Sequence, residues 1–290
     1  MSDAPLPHLS QASARLSRRI EVVDERGHQR LVQVPAERDL TIYVDRTEVV
    51  TLMTLGAHPE WLVLGYLLNQ GLVASVADIE SITVDWEVAS AAVRSRAGIA
   101  LGPKLARPRV VTTGCGQGSM FADLLERVGE VDRELPRLRQ STLTQIIDTV
   151  RGRDSLYKIA GSVHACALFE DAELRVFIED VGRHNALDSI AGWRGLQVSL
   201  NAGVNNTCDQ SGAAPCPVLY TTGRLTSEMI IKAAHMAIPV VVSRSGTTEM
   251  AIEVAEKAGV CAIGRALNHR FLCYTHPWRL VFNAEDNNNP

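Results

Sequence analysis

The chain has 290 residues, 46% of them hydrophobic and 21% charged, with 29 Lys+Arg against 33 Asp+Glu for a formal charge of −4. That is the composition of a globular protein with its own core, one large domain or two modest ones at roughly 150 residues each. Mild acidity excludes a protein that coats nucleic acid through bulk charge. No apolar run approaches the ~20 residues that span a bilayer, and the first residues lack a signal-peptide core, so no membrane partner is expected and the default location is cytoplasmic. In chain order, residues 1–18 read as a disordered polar tail. Alternating residues at 20–23 and 31–34 flank a turn at Arg26-Gly27-His28 and predict a hairpin. Strands are expected at 42–44 and 48–53, a helix from Pro59 to Gln70 closed by Gly71, and another strand at 82–88. The Pro-, Gly- and Arg-containing stretch 97–108 reads as a linker, which makes 19–108 a smaller strand-rich N-terminal domain.

Beyond the linker the rhythm changes. A strand at 110–113 leads into Gly114-Cys115-Gly116-Gln117-Gly118 and a helix opened near Ser119. A helix at 141–151, strands at 163–169 and 174–178 and a helix at 185–193 follow. Residues 199–217 read as a surface insertion. The chain then alternates strand (218–221), helix (227–237), strand (240–243), helix (248–257) and strand (261–264), and ends in an edge strand at 270–275. Such alternation predicts an α/β domain over 109–280, a mixed sheet with a parallel core and helices on both faces, followed by a tail at 281–290.

Several clusters of polar residues could carry chemistry. Cys115 stands among three glycines between a strand and a helix. A helix N-terminus favours the thiolate, so the residue reads as a nucleophile or persulfide carrier, or else as a small filler of a turn. The stretch Glu179-Asp180-Val181-Gly182-Arg183-His184-Asn185-Ala186-Leu187-Asp188 packs acids, Arg, His and Asn into a strand end and a helix start. That suits a ligand site in an α/β sheet, although a solvated loop has similar composition and Asp180 or Asn185 could cap the helix. Thr221-Thr222-Gly223-Arg224-Leu225-Thr226-Ser227-Glu228 and Ser243-Arg244-Ser245-Gly246-Thr247-Thr248 each put hydroxyls, Gly and Arg at the start of a helix. On neighbouring parallel strands they would face one sheet edge as a phosphate cradle, while Thr-Gly turns with a Ser cap are also common. Gly264-Arg265-Ala266-Leu267-Asn268-His269-Arg270 is either an anion-holding segment or a basic surface turn.

Six cysteines stand at 115, 166, 208, 216, 261 and 273, none in a CxxC pair, so the default is free thiols in a reducing compartment. His164-Ala165-Cys166 invites a zinc reading, but the H-x-E…P-C-x-x-C signature of zinc deaminases is absent and no metal site is expected.

Gly161-Ser162-Val163-His164-Ala165, the block from Glu179 to Asp188, Thr222-Gly223-Arg224 with Glu228-Met229, Ser243-Arg244-Ser245 and Tyr274-Thr275 occur in the order and spacing of the FdhD proteins (FdhD/NarQ type). These are formate dehydrogenase accessory sulfurtransferases, and the chain resembles them over roughly residues 20–280, most specifically in the EDVGRHNALD block. The resemblance implies a cytidine-deaminase-like fold without zinc, a homodimer, and a sulfurtransferase. Sulfur would pass as persulfide from a cysteine desulfurase to the bis(molybdopterin guanine dinucleotide) molybdenum cofactor before the cofactor enters the formate dehydrogenase apoenzyme. Cys115 takes the place of the persulfide cysteine, and the cofactor-binding segment falls on Arg265, Ala266, Leu267, Asn268, His269 and Arg270. There the family pattern would have an aromatic first residue and internal glycines. Gly118 replaces the second loop cysteine of some members, so no mechanism using that cysteine operates here. For a ligand bearing pyrophosphates and guanines, Arg183, Arg224 and Arg244 are assigned to anionic groups, and His184 and Asn185 to the pterin or a base. Two other readings compete: a non-catalytic chaperone for the molybdenum cofactor, and a nucleotide-acting hydrolase, which would need a metal site.

Overall fold

A computed structural model of the chain describes residues 6–99, 110–111, 129–201 and 214–283. The first segment forms β1 (His8–Leu9), β2 (Ser17–Val23), β3 (Gln29–Pro35), β4 (Arg38–Val44), β5 (Thr47–Thr54), α1 (Pro59–Asn69), β6 (Ile79–Asp85) and β7 (Ser90–Ser95), with β8 (Val110–Val111) after it. Then come β9 (Leu138–Arg139), α2 (Gln140–Gly152), α3 (Leu156–Ala160), β10 (His164–Glu170), β11 (Glu173–Asp180) and α4 (Arg183–Asn201). The last segment holds β12 (Pro217–Thr221), α5 (Ser227–His235), β13 (Val240–Ser243), α6 (Glu249–Ala258), β14 (Cys261–Leu267), β15 (Arg270–Cys273) and β16 (Leu280–Val281). None of the described helices is long and apolar enough to cross a membrane.

These elements form two compact units that interleave along the chain. The first takes residues up to Gln117, Ser155–Ala165 and Ile178–Asn206; the second takes Gly118–Asp154, Cys166–Phe177 and Thr207–Pro290. The expected sequential split at 97–108 thus gives way to a discontinuous one. Local sequence reports composition, whereas a unit is defined by where distant segments pack. β1 also forms inside the expected tail, pairing in parallel with β6 through His8↔Ser81 and Leu9↔Ile82. A two-residue strand is too short to show period 2.

The first unit contains a six-stranded sheet in the order β1-β6-β7-β4-β5-β8 and the separate β2-β3 hairpin. Leu40, Ile42 and Val44 alternate inward along β4 and pack with Leu62, Val63, Leu64 and Leu67 of α1. Helices α1 and α4 cross with their backbones in contact. A Cβ on Gly65 would overlap the carbonyl oxygen of Asp188, and one on Gly192 would overlap that of Trp61. Only glycine fits at these two positions.

The second unit carries a six-stranded sheet in the order β11-β10-β12-β13-β14-β15. β12, β13 and β14 run parallel, and antiparallel β10 and β15 flank them. One face is lined by Val218, Tyr220, Val240, Val242, Cys261 and Ile263 against Leu143, Ile146 and Ile147 of α2. Leu219, Val241 and Ala262 alternate to the other face and are equally buried, on the side of the crossover helices α5 and α6. This is the mixed α/β sheet with helices on both faces that the alternation predicts, and β15 lies at its edge.

Candidate functional site

In the second unit the two parallel crossovers bring three turns to one sheet edge. Thr221 pairs with Ser243 at the ends of β12 and β13, both fully buried. Ser243 Oγ donates to the Gly223 carbonyl at 2.6 Å and accepts from the Ser245 amide at 2.9 Å. Ser245 Oγ donates to the Thr222 carbonyl at 2.8 Å, and the Arg244 amide donates to the Thr221 carbonyl at 3.0 Å. Leu225 and Thr247 form a parallel bridge. The third turn joins through the Arg265 amide, which donates to the Ser245 carbonyl at 2.7 Å. Small hydroxyls thus fix the loops, and the side chains of Arg224, Arg244 and Arg265 stay exposed above them.

Helices start directly behind two of these turns. Thr248 caps α6, its side chain accepting from the Ala251 amide at 3.3 Å. Thr226 occupies the same place before α5, but its Oγ1 is buried with no hydrogen-bond partner among the described residues. In the first turn of α5, Glu228 is paired with the buried Lys232 one turn further on, at 3.1 Å. Two helix N-termini, their backbone amides and nearby guanidinium groups thus gather at the carboxyl ends of parallel strands, the place where open α/β sheets present such groups to ligands.

The segment from Arg265 to Arg270 is divided by its own geometry. A β-bulge between Gly264 and Leu267 turns Ala266 into the core, where it is 1% exposed, so its side chain is not a ligand contact. Arg265 takes a left-handed φ of 53°, and Arg265, Leu267, Asn268, His269 and Arg270 are exposed. Asn268 accepts from Arg151 Nη1 at 3.3 Å. The tip is polar and basic, and one of the six residues faces inward.

In the first unit the EDVGRHNALD block is an internal network. Glu179 accepts from the amides of Leu156 and Tyr157, both at 2.8 Å, and so supplies the anion at the start of α3. Asp180 is 3% exposed and accepts from Thr54 Oγ1, the Leu55 and Gly182 amides and Asn185 Nδ2. Burial pushes its carboxyl up from the ordinary aspartate range, and the four donated hydrogen bonds oppose that shift. Asn185 Nδ2 also donates to the Met53 carbonyl at 2.7 Å, so both of its amide hydrogens are committed to the fold instead of to a ligand. Asn69 Nδ2 donates to Asp188 at 2.6 Å. Arg183 and His184 sit at the start of α4, partly buried. Cys115, the assigned persulfide cysteine, and Cys208 lie outside the described residues.

Sequence reasoning missed the hydroxyl lattice that joins the turns and a pair of touching thiols, Cys261 and Cys273, with Sγ atoms 3.7 Å apart. The lattice was foreshadowed by Ser or Thr at each strand end, and the thiol pair needed the β14–β15 register.

A family model described as FdhD/NarQ family matches residues 35–281. The chain belongs to the FdhD/NarQ family. Among its relatives, a protein of Bacillus subtilis (strain 168) named sulfur carrier protein FdhD is 30% identical over 248 residues, covering 84% of this chain and 88% of that protein. One of the same name from Thermoplasma acidophilum is 31% identical over 237 residues, covering 79% and 78%. The fold matches the crystal structure of a candidate formate dehydrogenase accessory protein from Desulfotalea psychrophila. That match has a TM-score of 0.71 and 24% identity and covers 92% of this chain and 100% of that one. Within the FdhD/NarQ family frame, the three-turn edge of the second unit is the candidate site for an anionic ligand.

Proposed function

We propose that this chain is a sulfur carrier serving formate dehydrogenase. It would accept persulfide sulfur from a cysteine desulfurase on Cys115 and deliver it to the bis(molybdopterin guanine dinucleotide) cofactor, its substrate, before that cofactor enters the apoenzyme. In the loading step the Cys115 thiolate attacks the outer sulfur of the donor persulfide. The S–S bond of the donor breaks, a new one forms on Cys115, and the donor leaves as its thiolate. The observation that carries the reading is the three-turn edge of the second unit. Its amides, helix N-termini and exposed Arg224, Arg244 and Arg265 suit the pyrophosphates of a guanine dinucleotide. Family membership supports the sulfur chemistry, since relatives over most of the chain carry the name sulfur carrier protein FdhD.

Two measurements test it. Intact mass after incubation with desulfurase and cysteine is expected to rise by about 32 Da in the parent and not in Cys115→Ala, reversibly on reduction. Guanosine diphosphate is expected to bind the parent at least tenfold more tightly than Arg224→Ala/Arg244→Ala, a difference of about 1.4 kcal/mol. Equal binding would overturn the cradle, and an adduct on both proteins, or on neither, would overturn Cys115 as carrier.

A further inference from the structure

Two thiols outside this site touch one another. Ile263 on β14 pairs with Cys273 on β15, so Cys261, two residues earlier on the same face, is the diagonal neighbour of Cys273. Their Sγ atoms are 3.7 Å apart and are not bonded to each other. Cys261 is fully buried, whereas Cys273 is half-buried on the edge strand. From Gly264 and the anion-binding turns, Cys261 lies three residues back along β14, roughly 10 Å at strand rise.

The two sulfurs differ in character. The hydrogen bond between them holds the Cys273 thiol below the ordinary cysteine range and, with burial, lifts that of Cys261 above it. The less buried of the two is therefore the one that more readily becomes a thiolate, and the fully buried one keeps its proton. Arg279, fully buried, donates to the carbonyls of Gly259, Val131 and Asp132. Its charge favours a thiolate on Cys261, and its Nη1 has no hydrogen-bond partner among the described residues. An anion forming at Cys261 thus meets a fixed positive charge.

We infer that Cys273 and Cys261 form a self-resolving acceptor for sulfane sulfur from small persulfides. The Cys273 thiolate attacks the outer sulfur of a persulfide R–S–SH, giving Cys273–S–SH and RS⁻. Cys261 then attacks Cys273 Sγ. The Cys261–Cys273 disulfide forms, the persulfide S–S bond breaks, and the outer sulfur leaves as hydrosulfide, which takes the Cys261 proton. The two cysteines give up two electrons and the departing sulfur gains them, so the persulfide itself is the oxidant. A dithiol reductant resets the pair. Closing the bond from contact distance to about 2.0 Å requires a shift of roughly 1.7 Å, which β15 can make because among the described residues it is paired along one side only. The proposed sulfur-carrier function suggests the class of donor but does not supply the geometry.

The test uses glutathione persulfide on reduced Cys115→Ala protein, so its result is independent of loading at Cys115. One hydrosulfide is expected per chain, with a mass loss of about 2 Da and a proteolytic fragment in which Cys261 is joined to Cys273. Cys261→Ala should stop with about 32 Da added on Cys273 and no hydrosulfide release. Cys273→Ala should do neither, and it decides the matter if Cys261→Ala does not fold. A stable persulfide on Cys273 of the Cys115→Ala protein, no reaction at all, or hydrosulfide release surviving Cys273→Ala would each overturn the inference. Failure of the sulfur-carrier reading would show separately, as the absence of desulfurase loading on Cys115.

Discussion

Replacing Asp180 tests whether the most motif-rich stretch of the chain holds the fold together. Its carboxylate receives hydrogen bonds from the Thr54 hydroxyl, the Leu55 and Gly182 amides and the Asn185 amide. In Asp180→Ala, Asn185 keeps the Met53 carbonyl, while the other three donors lose this buried acceptor. At about 1–3 kcal/mol for each stranded buried donor, with partial rescue by water, the loss is about 3–5 kcal/mol. That is a large share of the 5–15 kcal/mol typical of a folded protein. Asp180→Asn turns one acceptor oxygen into an amine facing donors and should lose about 2–3 kcal/mol. Urea unfolding followed by tryptophan fluorescence reports the right unit, because Trp61, Trp86 and Trp193 belong to it and Trp278 does not. Stability should also depend on pH in one direction. Burial raises the native pKa above the unfolded one, so this group's contribution is complete below the unfolded value and declines as pH rises through the native one. The stability gap between the parent and Asp180→Asn should therefore narrow upward from about pH 4. A loss under about 1 kcal/mol for Asp180→Ala would refute the network as an energetic centre.

Three further outcomes follow from packing and electrostatics. Gly192→Ala drives a methyl into the Trp61 carbonyl and should cost more than about 3 kcal/mol or prevent native folding; a parent-like melting temperature would contradict the α1–α4 crossing. Ser243→Ala removes one donated and one accepted buried hydrogen bond, so calorimetry should find about 1–3 kcal/mol lost, together with weaker guanosine diphosphate binding. Cys216 is fully buried, and burial pushes its thiol up to about 12. In native protein at pH 8, iodoacetamide should label Cys273 well before Cys216, and peptide mapping that found Cys216 modified first would count against the packing of β12.

The strand–helix alternation of the second unit was legible because each element is long enough to show its period. Expected strands at 240–243 and 218–221 match Val240–Ser243 and Pro217–Thr221. Helix α4 was expected only over 185–193 and runs from Arg183 to Asn201. Gly192 and Gly195 fall at and just beyond the expected end. Yet Gly192 is there because another helix backbone touches it, and no local signal distinguishes that from a helix end. The two-unit division was hidden for the same reason. Thr54 meets Asp180 across 126 residues and Asn69 meets Asp188 across 119, and no local pattern records such distances.

A dense polar motif has two physical origins, a ligand site and a buried network, and both concentrate the same residue types. They differ in whether the polar atoms already have partners inside the fold. Between Glu179 and Asp188, the carboxylates of Glu179, Asp180 and Asp188 and the amide hydrogens of Asn185 are engaged by backbone and side chains of the same unit. At the turns after β12 and β13 the division of labour is reversed. Hydroxyls of Ser243 and Ser245 satisfy the backbone, and arginines stand exposed above it. Aligned amides and solvent-facing guanidinium groups are the kind of surface that attracts an anion. By that criterion the Glu179–Asp188 stretch secures the first unit, whereas the Thr-Gly-Arg and Ser-Arg-Ser turns keep their charge on the surface, as the proposed phosphate cradle requires.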